Sequence, residues 1–278
     1  MTSLDIRNKL ATPTATQKTK NIVSWGSVGS GKSSLAVNLS FELAASGWQV
    51  CLIDADTYHP SLAALMGVTE AGGGLAACLR LIRQGRFTDL EFERLGKKIE
   101  FSTHSIWLLT GLPSPARWAE VDAPTLQGLI SHLSGQFDFL IWDVATHLEA
   151  GLISADSGRD RNQATQFLLT SADLVLASFL ADPVGINRLL FDLREVGKPV
   201  WPIANRVRIS VLGRNPQSQL RSILSRAAGL TLVGEIAEDE GFDILLQSTK
   251  PLQLQGRSSK AQQGIRKLAQ EIVVAVGE

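Results

Sequence analysis

Residues 26–33, Gly26-Ser27-Val28-Gly29-Ser30-Gly31-Lys32-Ser33, satisfy the pattern GxxxxGK[ST] in full, a spacing suited to holding phosphate. Glycines let successive backbone N–H groups turn inward around phosphate oxygens, and a helix starting near Lys32 adds the positive end of its dipole. Lys32 would reach the β- and γ-phosphates, and Ser33 would set its hydroxyl on Mg²⁺. Gly26, Ser27, Val28, Gly29, Ser30, Gly31, Lys32, Ser33 and Ser34 are therefore the candidate phosphate-binding residues. A glycine turn with no ligand is the alternative reading.

A phosphate loop of this kind also needs a carboxylate near its cation. Asp143 directly follows the apolar run FDFLIW, at the C-terminal end of a predicted strand, where ligand-facing residues of an α/β sheet gather. It is the candidate Walker B residue, with a plain strand-ending turn as the alternative.

These residues must be positioned by strand–loop–helix units. Residues 21–25 form a short apolar run before the glycine loop, and Leu35, Ala36, Leu39 and Leu43 then recur at helical spacing. The loop match thus has a strand before it and a helix after it, the context it requires. The pattern predicts further strands at 49–53, 137–142, 174–179, 199–204 and 231–236, with a pair of short strands within 99–109. Helices are predicted near 61–66, 125–133, 184–196, 217–227 and 261–276, with mixed helical segments over 74–95. Repeated strand–helix alternation predicts a doubly wound α/β fold, a mostly parallel sheet with helices on both faces. No internal repeat or linker divides the chain, so the expectation is a flexible leader over 1–20 and a single nucleotide-binding domain over 21–278.

Composition narrows the setting. The chain has 278 residues, 44% hydrophobic and 19% charged, with 27 basic and 27 acidic side chains. That is globular and electrically balanced, so no global field favours nucleic acid or anionic lipid. Two cysteines, Cys51 and Cys78, make neither a disulfide framework nor a cysteine metal site and fit a reducing, cytoplasmic compartment. No apolar run reaches the roughly 18 residues of a membrane span.

From the glycine loop to the last strands, the order of motifs resembles the ParA/MinD superfamily of P-loop ATPases. The segment Val50-Cys51-Leu52-Ile53-Asp54-Ala55-Asp56 is similar to that family's second-strand motif. The resemblance implies that Asp56 orients the attacking water and that Asp54 supports the Mg²⁺ shell, with Asp143 beside it. A turn, or a cap on the helix at Ser61, is the alternative for either residue. Ile203-Ala204-Asn205-Arg206-Val207 resembles the segment whose asparagine reads the adenine edge, which implies that Asn205 and Arg206 lie at the nucleotide. A strand-ending turn is the alternative there.

The likeness has gaps. The family's loop reads KGGxGK[ST], and its first lysine reaches across an ATP-sandwiched dimer, whereas this chain has Ser27 in place of that lysine and Val28 in place of the glycine after it. Loss of a cation against transferring phosphate implies slow hydrolysis. The proline- and glycine-rich tail after the Walker B aspartate is replaced by Val144-Ala145-Thr146-His147. His147 reads as a solvated loop histidine before it reads as catalytic. His59, His104 and His132 have no zinc spacing.

Within the superfamily the combination most resembles the CpaE/TadZ branch of pilus-assembly and localisation proteins. The implied function is a switch ATPase binding ATP and Mg²⁺, with Lys32, Asp56 and Asp143 catalytic. A nucleotide-dependent homodimer would act on a protein partner of a pilus, secretion or division machine. A non-hydrolysing scaffold and a small-molecule kinase or ligase on the same scaffold stay open. So does peripheral contact with the inner face of the membrane, although the stripe Ile265, Leu268, Ala269, Ile272, Val273, Val276 reads first as a core-packed helix.

Overall fold

A computed structural model describes residues 18–69, 72–149 and 160–277. The expected leader falls almost wholly outside them. Its end does not: Thr19 is buried, with its hydroxyl donating to Phe137 O at 2.6 Å, and the first strand starts at Lys20. Thr19 and Lys20 therefore belong to the folded domain and not to a leader.

The first unit is β1 (Lys20–Gly26), a glycine loop and α1 (Lys32–Ala45), followed by β2 (Val50–Ala55) and α2 (Leu62–Leu65). The mixed middle region resolves into α3 (Gly74–Arg83), α4 (Asp89–Leu95) and the antiparallel pair β3 (Lys97–Phe101) and β4 (His104–Leu109). Then come α5 (Ala123–Leu133), β5 (Phe139–Val144), α6 (Gln163–Ser171), β6 (Leu174–Leu180) and α7 (Pro183–Asp192). The last third holds β7 (Trp201–Val207), α8 (Ile209–Leu212), α9 (Pro216–Ala228), β8 (Gly234–Ala237), α10 (Gly241–Ser248) and α11 (Lys260–Gly277). Residues 163–171 and 241–248, to which the sequence pattern assigns no element, are the helices α6 and α10.

All eight strands join one sheet in the order β3-β4-β2-β5-β1-β6-β7-β8. Every pairing is parallel except β3 with β4, as the crossover helices require. Side chains alternate between two cores because successive Cβ atoms point to opposite faces. Val23, Trp25, Ile53, Trp142 and Phe179 pack on the face carrying α3, α5, α6, α7 and α9. Ile22, Leu52, Ile141, Leu176 and Ile203 pack on the face carrying α1 and α11. Both indole N–H groups of the buried central tryptophans are satisfied, Trp25 by Thr146 O and Trp142 by Asn21 Oδ1.

Helix α11 settles against β8 and α1. Ile265, Leu268, Ala269 and Ile272 are buried, while Arg266 and Gln262 reach the buried Glu42 of α1 at 3.2 Å each. Among the described residues, no helix is long and apolar enough to cross a membrane.

Candidate functional site

The glycine loop hangs between the C-terminal end of β1 and the N-terminus of α1, the sheet edge where parallel α/β folds bind ligands. Gly31 caps α1 at φ 83° with no side-chain cap, a left-handed conformation suited to glycine. The first-turn amides are left to an incoming anion. Side chains from β6, from β7, from the segment after β5 and from β1 itself brace the loop. Ser178 Oγ and Asn205 Nδ2 both donate to Ser30 O, at 3.0 and 2.8 Å. Thr146 Oγ1 donates to Gly26 O at 2.8 Å, and Ser24 Oγ to Lys32 O at 2.9 Å. Gly26 lies so close to β6 that a Cβ there would meet Ser178 O at 2.1 Å.

The structure gathers Lys32, Asp56, Asp54 and Asp143 at one spot. Asp54 and Asp143 are register partners on β2 and β5, and Asp143 also pairs with Ser24 on β1. The strand thus runs through Asp143 to Val144 instead of ending at Trp142, which brings the carboxylates into one layer. Lys32 Nζ lies 2.9 Å from Asp56 Oδ2 and 3.6 Å from Asp143 Oδ1. Burial works against its charge, but Asp143 and Asp56 outweigh burial and hold the lysine pKa above its usual value. For Asp56, burial is overcome by Lys32 and by the His59 and Tyr58 amides, so its carboxyl stays below the usual range.

Asp143 differs. It is fully buried, and neither carboxylate oxygen has a hydrogen-bond partner. Burial pushes its pKa up; Lys32 and Ser33 lie near enough to oppose that rise without completing a hydrogen bond. An orphaned buried carboxylate beside a serine hydroxyl at a helix N-terminus fits a divalent cation. No three His, Cys, Asp or Glu side chains gather into a self-sufficient metal site among the described residues. Ser33 and Asp143 would therefore hold Mg²⁺ only together with phosphate oxygens.

Asp54 is engaged elsewhere. Its Oδ2 accepts from the Ser61 and Leu62 amides at 2.9 Å each, and its Oδ1 from Asp56 N at 3.2 Å. That is the helix-capping alternative drawn from the sequence. Burial, with Asp143 next, pushes its pKa up to about 8. Asn205 spends Nδ2 on Ser30 O and Oδ1 on the Arg206 amide. It sits so near the loop that a Cβ on Gly31 would lie 2.2 Å from Nδ2.

Two cavities meet this edge. One of about 360 Å³ is lined by Val28, Gly29, Gly31, Lys32, Ser33, Ser34 and Asp56 among the expected residues. The other, about 700 Å³, begins at Arg206 and runs between Pro216, Glu238 and Phe242. Ser27 is buried, whereas Val28 is 66% exposed. Ser24, Tyr58, Thr146 and Ser178 were not singled out from the sequence. Ser24 and Ser178 are single hydroxyls on apolar strands that only the parallel register brings to the loop, and Tyr58 and Thr146 lie in the segments after β2 and β5, where no motif marks them.

Comparison with known proteins agrees with this geometry. Residues 16–82 match the family described as ParA: NUBPL iron-transfer P-loop NTPase. The septum site-determining protein MinD of Bacillus subtilis is 24% identical over 228 residues, covering 79% of this chain and 76% of its own length. Among solved structures, a ParA family ATPase from Chlorobium tepidum superposes with a TM-score of 0.72 at 16% identity, covering 90% of this chain and 98% of that one. The MinD of Pyrococcus horikoshii, solved with Mg-ADP, gives a TM-score of 0.70 at 20% identity, covering 93% and 98%. The glycine loop, the sheet order that carries it and these likenesses agree: the loop-bearing segment matches the ParA family and the chain has the fold of the ParA/MinD superfamily, which these findings support.

Proposed function

We propose that this protein is a Mg·ATP-dependent switch that hydrolyses ATP slowly, dimerises in the ATP state and signals its occupancy to a protein partner. The observation that carries the reading is the buried Asp143 carboxylate beside Ser33, which has no hydrogen bond and shares the single cation Lys32 with Asp56. Such a cluster is costly to keep without a ligand. In this reading Lys32 moves from its carboxylates onto the β- and γ-phosphates, and the α1 amides take the remaining oxygens. Bound Mg²⁺ would supply charge neutralisation at the phosphates, held from the protein side by Ser33 and Asp143. Asp56 Oδ1 stays on the Tyr58 and His59 amides, which leaves Oδ2 to accept a proton from water once Lys32 withdraws. Asn205 and Arg206 stand toward the base, and Asp54 supports the cation's surroundings through the Asp56 loop.

Slow turnover follows from Ser27, a neutral and buried group where the family carries its lysine. The same loss supports kinship with the CpaE/TadZ branch and a role in positioning a pilus or secretion apparatus, ahead of septum or chromosome. That role implies a cytoplasmic protein working at the inner face of the membrane through its partner, since α11 spends its apolar stripe on the core. Ser27 equally favours a second reading, a nucleotide-binding scaffold with no useful hydrolysis.

Calorimetric titration with Mg·ATP of the parent and of Lys32→Ala tests the proposal. Binding by the parent and loss in the variant is the expected result; equal affinities would remove the phosphate-loop assignment. A single-turnover measurement on the bound complex then separates slow switch from scaffold.

A further inference from the structure

We infer that Tyr58 is a positioning residue: clasped by His147 and Arg161, it fixes the backbone that aims Asp56 and ties that loop to the segment following β5. Its effect on turnover rests on the nucleotide-switch reading above. The clasp itself does not.

The Tyr58 ring stacks on His147 with centroids 4.4 Å apart and planes 29° apart. The Arg161 guanidinium carbon lies 3.8 Å from the same ring centroid, within the range of a cation–π contact. Arg161 also donates to Thr57 O at 2.8 Å, and the Tyr58 hydroxyl donates to Asn162 Oδ1 at 2.8 Å. Asn162 in turn donates to Glu149 O at 2.6 Å. Three segments far apart in sequence, 56–59, 146–149 and 161–162, are thereby joined at one aromatic ring.

This is not ordinary core packing. Tyr58 and His147 line the smaller cavity beside Lys32 and Ser33, and neither they nor Arg161 belong to either apolar core. Arg161 Nε is buried without a partner, so the guanidinium is held by its stacking and by Thr57 rather than by a full set of hydrogen bonds. The consequence for chemistry lies in the backbone. Asp56 Oδ1 accepts from Tyr58 N and His59 N at 2.9 Å each, so a shift of residue 58 turns the carboxylate. A misaimed water-orienting group loses rate without losing ground-state binding. Movement at Thr146 or His147 would reach Asp56 by the same ring, and Thr146 also holds Gly26 O.

Tyr58 is the chain's single tyrosine, which makes the clasp directly observable. Full-length protein labelled with 3-fluorotyrosine should give one ¹⁹F resonance. In the nucleotide-free protein, Arg161→Ala and His147→Ala should each shift that line, and saturating Mg·ATP should shift it in the parent. Tyr58→Leu and Arg161→Ala should slow single-turnover hydrolysis about tenfold while changing the ATP Kd by less than about threefold. Tyr58→Phe, which keeps the ring, should stay within about threefold of the parent rate, and Arg161→Lys should recover only part of the loss because it lacks the planar stack. Rates unchanged in Tyr58→Leu, or affinity falling in step with rate, would overturn the positioning role. If hydrolysis is too slow for rates, the resonance decides: a line unmoved by saturating ATP overturns the link to the site. A parent that binds no ATP ends the switch reading alone, whereas a nucleotide-free line indifferent to Arg161→Ala ends the clasp alone.

Discussion

Replacing Lys32 with alanine would remove the phosphate contact proposed above and strand a charge in the same step. Asp143 is fully buried and has Lys32 Nζ at 3.6 Å as its nearest counter-charge. At an effective dielectric of about 20, that attraction is worth roughly 4–5 kcal/mol. The full amount is not lost, because the carboxyl can protonate. Neutralising an ordinary aspartate costs about 4 kcal/mol at pH 7 and about 1.5 kcal/mol at pH 5, which caps the penalty at each pH. The sign follows from linkage: without Lys32 the folded-state pKa of Asp143 rises further above its unfolded value, so stability falls as pH increases. Lys32→Ala should therefore destabilise the nucleotide-free protein by about 2–4 kcal/mol at pH 7 and by about 1.5 kcal/mol or less at pH 5. Urea unfolding followed by tryptophan fluorescence suits the measurement, since Trp25 and Trp142 are fully buried. The double variant Lys32→Ala/Asp143→Asn should regain most of the lost stability at pH 7 and still bind no ATP. An equal loss at both pH values, or no recovery in the double variant, would refute the ion-pair account.

Ser27→Lys, alone or with Val28→Gly, should raise ATPase turnover or tighten ATP-dependent dimerisation, read as a rate that climbs with protein concentration; an unchanged rate in both would show that another group supplies the charge. Ile272 on α11 is fully buried, so Ile272→Ala should cost about 2–5 kcal/mol in chemical unfolding, whereas a membrane anchor would instead lose liposome binding at unchanged stability. Cys51 and Cys78 are both buried, and burial pushes the Cys78 thiol up to about 12. Alkylation of either should track global unfolding, and fast labelling of the native protein would contradict their packing.

The phosphate loop was legible because its chemistry is local: glycines, a lysine and a hydroxyl at fixed spacing between a strand and a helix. The sheet was legible for a similar reason, since strands buried on both faces write themselves as short apolar runs. Asp143 is legible but its strand reads two residues short, ending at 142 and not at Val144, because a charge at the end of an apolar run reads as a terminus. Asp54 could be read as ligand or cap, and only the amides of Ser61 and Leu62 show what its oxygens accept. Helix α6 is hard to read from the sequence because its buried stripe, Ala164, Thr165, Leu168 and Leu169, has helical spacing but only two strongly apolar members. The Tyr58 clasp could not be read at all. Its members lie 89 and 103 positions apart along the chain, and no local pattern encodes that meeting.

Strand β1 carries the phosphate loop, yet neither of its neighbours in the sheet is near it in sequence. Ile22 pairs with Ile141 on one side and Leu174 on the other. The loop is braced further by Ser178 and Asn205, and α1 is covered last by α11. A chain built this way defers its most important contacts, since loop-closure entropy must be met before distant strands can pair. During synthesis the glycine loop emerges early but cannot take its shape until β5, β6 and β7 have followed it. In the proposed function nucleotide would thus select only molecules whose central sheet is complete, and the interval before β5, β6 and β7 arrive is when exposed β1 and β2 edges are open to wrong partners.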